Sequence, residues 1–318
     1  MEGCCVRYFL LSRLIGSICR TPRPILDSLR RIIMVLVGSP GDLTFDQTCC
    51  RFFDTVMFEG RKASFSKAEC NHLRGNFPAL NLGVTHAKGT SQPININNGS
   101  HTEMLQRIMG SKDAQRLASF ASGEFFLSCH LCNRLWFLPA SFNLWAPDVF
   151  KHYQEHLDPL FAHDPSLKRI FPKCIFPAAA LNFGPNVCSY RHRDVLNCPY
   201  GWCAIYAFGK FNPVKGGHLY LWSLGIVVEF PPNSLVFVPS ATVEHSNSPI
   251  AKDEERVSFT LFCGGGLFRW VDNGFRTEKQ LKEQDAEEYA RMCDRKAGRW
   301  KDGLALLRKY EDIALDAI

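Results

Sequence analysis

Within the stretch "SYRHRDVLNC", residues 189–198, His192 and Asp194 stand two positions apart with Arg193 between them. In an extended chain alternate side chains share a face, so the imidazole and the carboxylate point together and Arg193 points away. One short segment can thereby offer two ligands to a single metal. A third must come from elsewhere, and His245, in "SATVEHSNSPI", follows 53 residues later, after the apolar run "NSLVFVPS". Two imidazoles and one carboxylate on one side of a metal form the facial triad that suits Fe(II), with three positions left open. Eleven residues past His245 comes "RVSFTLFC". Alternation there puts Arg256, Ser258 and Thr260 on one face of a strand, and Val257, Phe259 and Leu261 on the other. A guanidinium turned into a barrel interior is costly without an anion. A dicarboxylate that chelates iron at one end and meets Arg256 in a bidentate contact at the other would supply it, with Ser258 donating to the same carboxylate. 2-Oxoglutarate has that shape, and its chelation leaves one iron position for O2.

Each of these residues also has a plain structural reading. His192 and Asp194 can be a polar loop pair, His245 a hydrogen-bonded core histidine, and Arg256 an ion-pair partner of Asp253 or Glu254. Their order along the chain, on strands of the right kind, favours the metal site. His218 alternates with apolar residues and reads as structural. His152-Tyr153-Gln154-Glu155-His156 fits H-x-x-E-H, where positions i and i+4 of a helix share a zinc ion. The apolar stripe Val149, Tyr153, Leu157 and Leu160 explains that helix as scaffold, and no third ligand follows it. Cys129-x-x-Cys132 has zinc-like spacing without a second pair nearby.

The elements that must hold the triad are strands. From Phe171 to Val271 short apolar runs alternate with Gly, Pro and Asn: "CIFPAAALNF", "GWCAIYAFG", "GGHLYLW", "GIVVEFPPNSLVFVPS" and "ERVSFTLFCGGG". That spacing predicts an antiparallel sandwich or barrel. Upstream, "LRRIIMVLVG" reads as a buried strand or short helix, residues 85–101 as a polar loop, and "TEMLQRIMGSKDAQRLASFASGEFF" as helical. "APDVFKHYQEHLDPLFAHDP" is an amphipathic helix with Pro147 in its first turn. After Gly274 the chain turns helical and heavily charged. These readings predict an α+β protein with a loosely attached tail over 1–20 and one domain over 21–318. That domain divides into an α/β support (21–169), a β core (170–275) and C-terminal helices (276–318).

Composition limits the function classes. With 318 residues and 46% hydrophobic content, the chain can bury a large core and is neither disordered nor fibrous. Its 14 cysteines are dispersed and no secretory signal precedes them, which predicts reduced thiols inside the cell. No apolar run has the length of a membrane span. The net charge of +6 is concentrated: residues 166–225 hold seven basic side chains (Lys168, Arg169, Lys173, Arg191, Arg193, Lys210, Lys215) against Asp194 alone. Such a field attracts a polyanion or a small dicarboxylate.

At this level the residues resemble a known family. His192-Arg193-Asp194, His245 and Arg256-x-Ser258 are similar to the pattern of the Fe(II)/2-oxoglutarate dioxygenase superfamily, whose fold is a double-stranded β-helix, or jelly roll. "HRDVLN" followed by "GWCAIYAFG" resembles the TET/JBP branch, which oxidises the methyl group of 5-methylcytosine or thymine in DNA. "LNFGP", "GGHLYLW" and "GGLFRWVDNGFRT" resemble its fungal members. The likeness covers roughly residues 170–277 well. It implies His192, Asp194 and His245 as iron ligands and catalytic residues, and Arg256 on the far carboxylate of 2-oxoglutarate. Asn182 matches a co-substrate-binding asparagine, and Asn197 one that touches a flipped cytosine. Fe(II), 2-oxoglutarate and O2 are the implied cofactor and co-substrates, methylated DNA the implied partner, and the nucleus the implied compartment. No cysteine-rich zinc module like that of the animal enzymes is seen. Two alternatives stay open: a hydroxylase of a protein side chain or small molecule, and a non-catalytic jelly-roll binding module.

Overall fold

The computed structural model describes residues 12–14, 22–40, 42–87, 89–123 and 142–316. Among these the strands are β1 (Ser12–Leu14), β2 (Arg23–Leu26), β3 (Ile32–Gly38), β4 (Ala79–Thr85), β5 (Ile94–Asn95), β6 (Ala178–Asn182), β7 (Cys203–Lys210), β8 (Leu219–Leu221), β9 (Ile226–Val228), β10 (Ser234–Val238), β11 (His245–Asn247) and β12 (Glu255–Phe262). The helices are α1 (Leu43–Lys62), α2 (Lys67–Cys70), α3 (Thr102–Met109), α4 (Lys112–Ser122), α5 (Phe142–Trp145), α6 (Pro147–His163), α7 (Gly265–Asp272), α8 (Glu278–Gln284), α9 (Ala286–Ala305) and α10 (Tyr310–Asp316). None of them is long and apolar enough to cross a membrane.

Two sheets form. The larger has the order β2-β3-β10-β7-β12-β6-β4-β5 and the smaller β1-β9-β8-β11. Neighbours are antiparallel throughout, except β1 with β9. The strand-like runs read from the sequence all contribute, and "LRRIIMVLVG" resolves as strand β3. The large sheet also takes β2 to β5 from the upstream region.

Period-2 alternation sorts the large sheet into two faces. Leu181 of β6, Tyr206 and Phe208 of β7, Leu235 and Phe237 of β10, and Val257, Phe259 and Leu261 of β12 face a helical layer. The stripe Phe45, Cys49, Phe52, Phe53 and Val56 of α1 packs there, with the Phe52 ring 5.2 Å from that of Phe208 and 5.4 Å from that of Phe259. Helix α1 starts where Asp42 caps the Thr44 amide and ends on Arg61 and Lys62, both suited to the helix dipole. Helix α6 begins at Pro147, which has no amide hydrogen to leave unsatisfied, and buries Val149, Phe150, Tyr153, Leu157 and Leu160.

The opposite face of the sheet meets the small one. Met34, Leu36, Ala207, Val236 and Val238 pack against Leu219, Leu221, Val228 and Phe230. Each is fully or almost fully buried, so this second core holds the small sheet at a fixed height over the large one. Arg256, Ser258 and Thr260 project into the same inter-sheet space, and a polar cavity opens there between apolar walls.

Candidate metal centre

The segment carrying His192 and Asp194 is not the strand its alternation predicts. It is an extended loop tied down at single points: Tyr190 N–H donates to Arg74 O at 2.8 Å and Asp194 N–H to Ser240 O at 2.9 Å. Between them His192 and His245 form an isolated antiparallel bridge, exchanging both backbone hydrogen bonds at 3.0 Å. The alternation itself survives: Arg191 and Arg193 turn outward to Glu244, which pairs with both, at 3.9 Å for Arg193.

One ligand atom each from His192, Asp194 and His245 lies within 4.8 Å of the others. Both rings are oriented by the backbone. His192 Nδ1 is 2.7 Å from Tyr190 O, and His245 Nδ1 is 2.9 Å from Val243 O. A carbonyl cannot donate, so Nδ1 carries the proton in each ring and Nε2 presents its lone pair. Nε2 of His192 stands 3.9 Å from Asp194 Oδ1. Burial, and then the neighbouring His245, hold the His192 imidazole below the ordinary histidine range, which keeps that lone pair free near neutrality. An outer hydrogen bond on the distal nitrogen is how proteins orient imidazole ligands. This donor set fits a divalent first-row ion.

The same cavity is lined by Arg74, Phe77, Asn182, Ile205, Phe230 and Arg256 among others, with Ser258 and Thr260 beside Arg256. Arg256 is only 3% exposed. Its Nη1 donates to Val187 O at 3.0 Å, while Nε is buried without a partner. No carboxylate meets it among the described residues; Glu254 instead accepts from the amides of Asn212 and Ala251. Burial pushes the Arg256 guanidinium down to about 10. A buried cation in this state is completed by an anion. Asn182 donates through Nδ2 to Ser258 Oγ at 2.8 Å, and its Oδ1 is likewise buried and unpartnered.

Other sequence-derived sites fall elsewhere. Asn197 does not line the cavity: its Nδ2 lies 3.2 Å from both Cys203 Sγ and Ser240 Oγ. The H-x-x-E-H histidines lie ring to ring, centroids 4.2 Å apart, but each Nε2 is taken by a protein partner, His152 by the Tyr200 hydroxyl at 2.9 Å and His156 by Asp272 at 3.0 Å. The His218 backbone N–H donates to Ser248 Oγ at 2.9 Å, and its Nε2 is buried without a partner. Cys129 and Cys132 lie outside the described residues, as does most of the 1–20 tail. No disulfide joins any two of the nine described cysteines. The basic window is partly paired, Arg169 with Asp158 and both Arg191 and Arg193 with Glu244.

Sequence reading missed Asn247. It is 7% exposed, two positions beyond His245 on the same face of β11. Its Oδ1 accepts from the amide and hydroxyl of Ser189, both at 2.8 Å, and its Nδ2 donates to Val187 O at 3.1 Å. One side chain thus fastens the segment that leads to His192 and shares a carbonyl with Arg256. Its only sequence signal is the alternation in "HSN".

No family model and no curated protein matches the sequence. Among solved structures, that of NgTET1 in complex with 5mC DNA aligns over 80% of this chain and 82% of that one, at 13% identity and a TM-score of 0.52. The chain therefore shares that protein's fold. A 2OG-Fe(II) oxygenase family oxidoreductase from Burkholderia pseudomallei aligns over 74% of this chain and 90% of that one, at 12% identity and a TM-score of 0.36, too low to bear on the fold.

Proposed function

We propose that this protein is an Fe(II)/2-oxoglutarate-dependent dioxygenase of the double-stranded β-helix type, of the TET/JBP kind. Its substrate is the methyl group of 5-methylcytosine, or of another methylated base, in DNA. The observation that carries this reading is the convergence of His192, Asp194 and His245 within 4.8 Å, in one cavity with a buried arginine that has no carboxylate of its own among the described residues. The fold shared with NgTET1, solved with 5mC DNA, supports the substrate class.

Fe(II) held by these three side chains would supply the O2-dependent redox chemistry that converts 2-oxoglutarate to succinate and CO2 and hydroxylates a substrate C–H bond. The remaining work belongs to the chain. Tyr190 O and Val243 O hold both imidazoles in the ligating tautomer. Arg256 and Ser258 bind the distal carboxylate, and Asn182 acts on the co-substrate through Ser258: its Nδ2 donates to Ser258 Oγ, leaving the serine O–H to donate to the carboxylate. Phe77, Ile205, Leu219 and Phe230 wall the cavity and keep water out. The base leaves the duplex to enter; Asn197, outside the cavity lining with its Nδ2 held at Cys203 Sγ and Ser240 Oγ, would meet it only at the mouth, through Oδ1. A DNA substrate implies work in the nucleus.

The test is incubation with Fe(II), 2-oxoglutarate, ascorbate and methylated or unmethylated oligonucleotides, followed by mass spectrometry of the nucleosides. Hydroxymethylcytosine appears only with wild-type protein and methylated DNA, and not with His192→Ala. Succinate formed at the same rate without any DNA, and no modified base, would contradict the DNA reading and favour a protein or small-molecule substrate.

A further inference from the structure

Beside the cavity a short turn holds Leu73 in water at 96% exposure, the most exposed large hydrophobic side chain among the described residues. The turn is braced from three sides. His72 and Gly75 exchange backbone hydrogen bonds of 3.2 and 3.0 Å. The His72 ring packs edge-on to Phe77 and its Nε2 is 3.0 Å from Phe77 O. Tyr190 N–H donates to Arg74 O, and Gly75 bridges to Ser189, so the turn is fastened to the segment that bears His192. Arg74, the next residue, lines the cavity together with His192 and Asp194.

The chain leaving Asp194 shows the same character, with Val195 72% and Leu196 60% exposed, and Tyr190 before it 52% exposed. This loop is fixed too, through Asn197 N–H to Asp194 O and Gly265 N–H to Leu196 O, each at 2.9 Å. Water gives an exposed leucine no stabilisation, so a rigid turn that keeps one there points to an apolar occupant at the mouth. The surrounding charge selects the occupant. Arg74 faces the cavity, and Arg191 and Arg193 share the one carboxylate of Glu244, leaving positive charge in excess. Apolar surface within a cationic field matches stacked bases beside phosphates.

We infer that Leu73 is the wedge that enters the base stack when the target base leaves it for the cavity, with Val195 and Leu196 lying against the adjacent nucleotide and Arg74 on a phosphate. This rests on the DNA reading above and deepens it. Inserting an aliphatic side chain restores contacts that the departing base gives up, which offsets part of the unstacking cost. A single projecting side chain suits a gap between base pairs; a peptide substrate would call for a groove.

The experiment compares wild type with Leu73→Ser on one methylated sequence, supplied as duplex and as single strand, with Leu29→Ser in the β2–β3 turn as a surface control. At 96% exposure the substitution leaves the core untouched. The duplex-to-single-strand rate ratio should fall by ~10-fold in Leu73→Ser and recover in Leu73→Met. Fluorescence of 2-aminopurine placed beside the target base should drop in parallel, while the control matches wild type. An unchanged ratio, or equal losses on both forms, overturns the wedge and leaves the DNA oxygenase reading standing. No product from wild type on either form, with turnover on a peptide instead, removes that reading and the wedge with it.

Discussion

His192 and His245, 53 residues apart in sequence, are backbone partners: each amide donates to the other's carbonyl at 3.0 Å. Residues paired in this way have their side chains on one face, and here the two ring centroids are 4.3 Å apart. The paired rings are therefore set by main-chain geometry before any ion arrives. Because Tyr190 O and Val243 O fix both Nδ1 atoms, the Nε2 lone pairs need no reorientation to meet a cation. Such a site costs little ordering entropy on binding.

Arg256 should discriminate co-substrates by their distal carboxylate. Arg256→Met in Mn(II)-loaded protein is expected to weaken 2-oxoglutarate binding by ~10- to 100-fold, the range of a lost charge-assisted contact. 2-Oxobutyrate, which lacks that carboxylate, should bind wild type and variant alike. Calorimetric titration of both acids reads the difference, and an equal loss for both would show general damage to the cavity.

Asn247 should be structural in a way that reaches the metal. Asn247→Ala strips the Ser189 amide and the Val187 carbonyl of a buried partner. We expect a loss of roughly 1–3 kcal/mol in urea unfolding, with metal affinity down by about 10-fold as the His192 segment loosens. Asn247→Asp keeps the acceptor and should recover part of the Ser189 contact.

Stability should decline on the acid side of neutrality. Burial holds His152 at about 4 in the folded chain, below its ordinary 6.5, so the unfolded chain binds more protons in between. The contribution is whole above about 6.5, falls as the pH drops towards about 4, and is flat below. His156 runs the other way: burial pulls it down, but the bond to Asp272, the His152 carbonyl and the charges of Asp272 and Glu155 together outweigh burial and raise it above the ordinary range, so its contribution fades as the pH rises through that raised value. Urea midpoints across pH 4 to 8 test both, and His152→Phe should flatten the acid limb.

Much of this arrangement was legible beforehand. The triad and Arg256-x-Ser258 were visible because period-2 alternation is a local rule that survives folding. Val257, Phe259 and Leu261 do face the helices while Arg256 and Ser258 face the cavity. The elements around "HRD" were less legible. Alternation there predicts a strand, yet the backbone partners are Arg74, Ser240 and His245, all distant in sequence, and they pin a loop instead. Asn247 and Leu73 escaped for a similar reason. An asparagine and a leucine acquire meaning from what lies beside them in space, and neither Ser189 nor the Tyr190 amide is a sequence neighbour of its partner. The pairing of β4 with β6, which carries the upstream region into the large sheet, has no local signature either.

Anaerobic calorimetric titration of Fe(II) into wild type and into His192→Ala, Asp194→Ala and His245→Ala bears most directly on the proposed centre. One ion per chain should bind wild type, and each substitution should weaken it by more than ~100-fold, beyond the effect of losing an outer partner. Unchanged affinity and stoichiometry in any one of the three, with the variant still folded, would contradict the account.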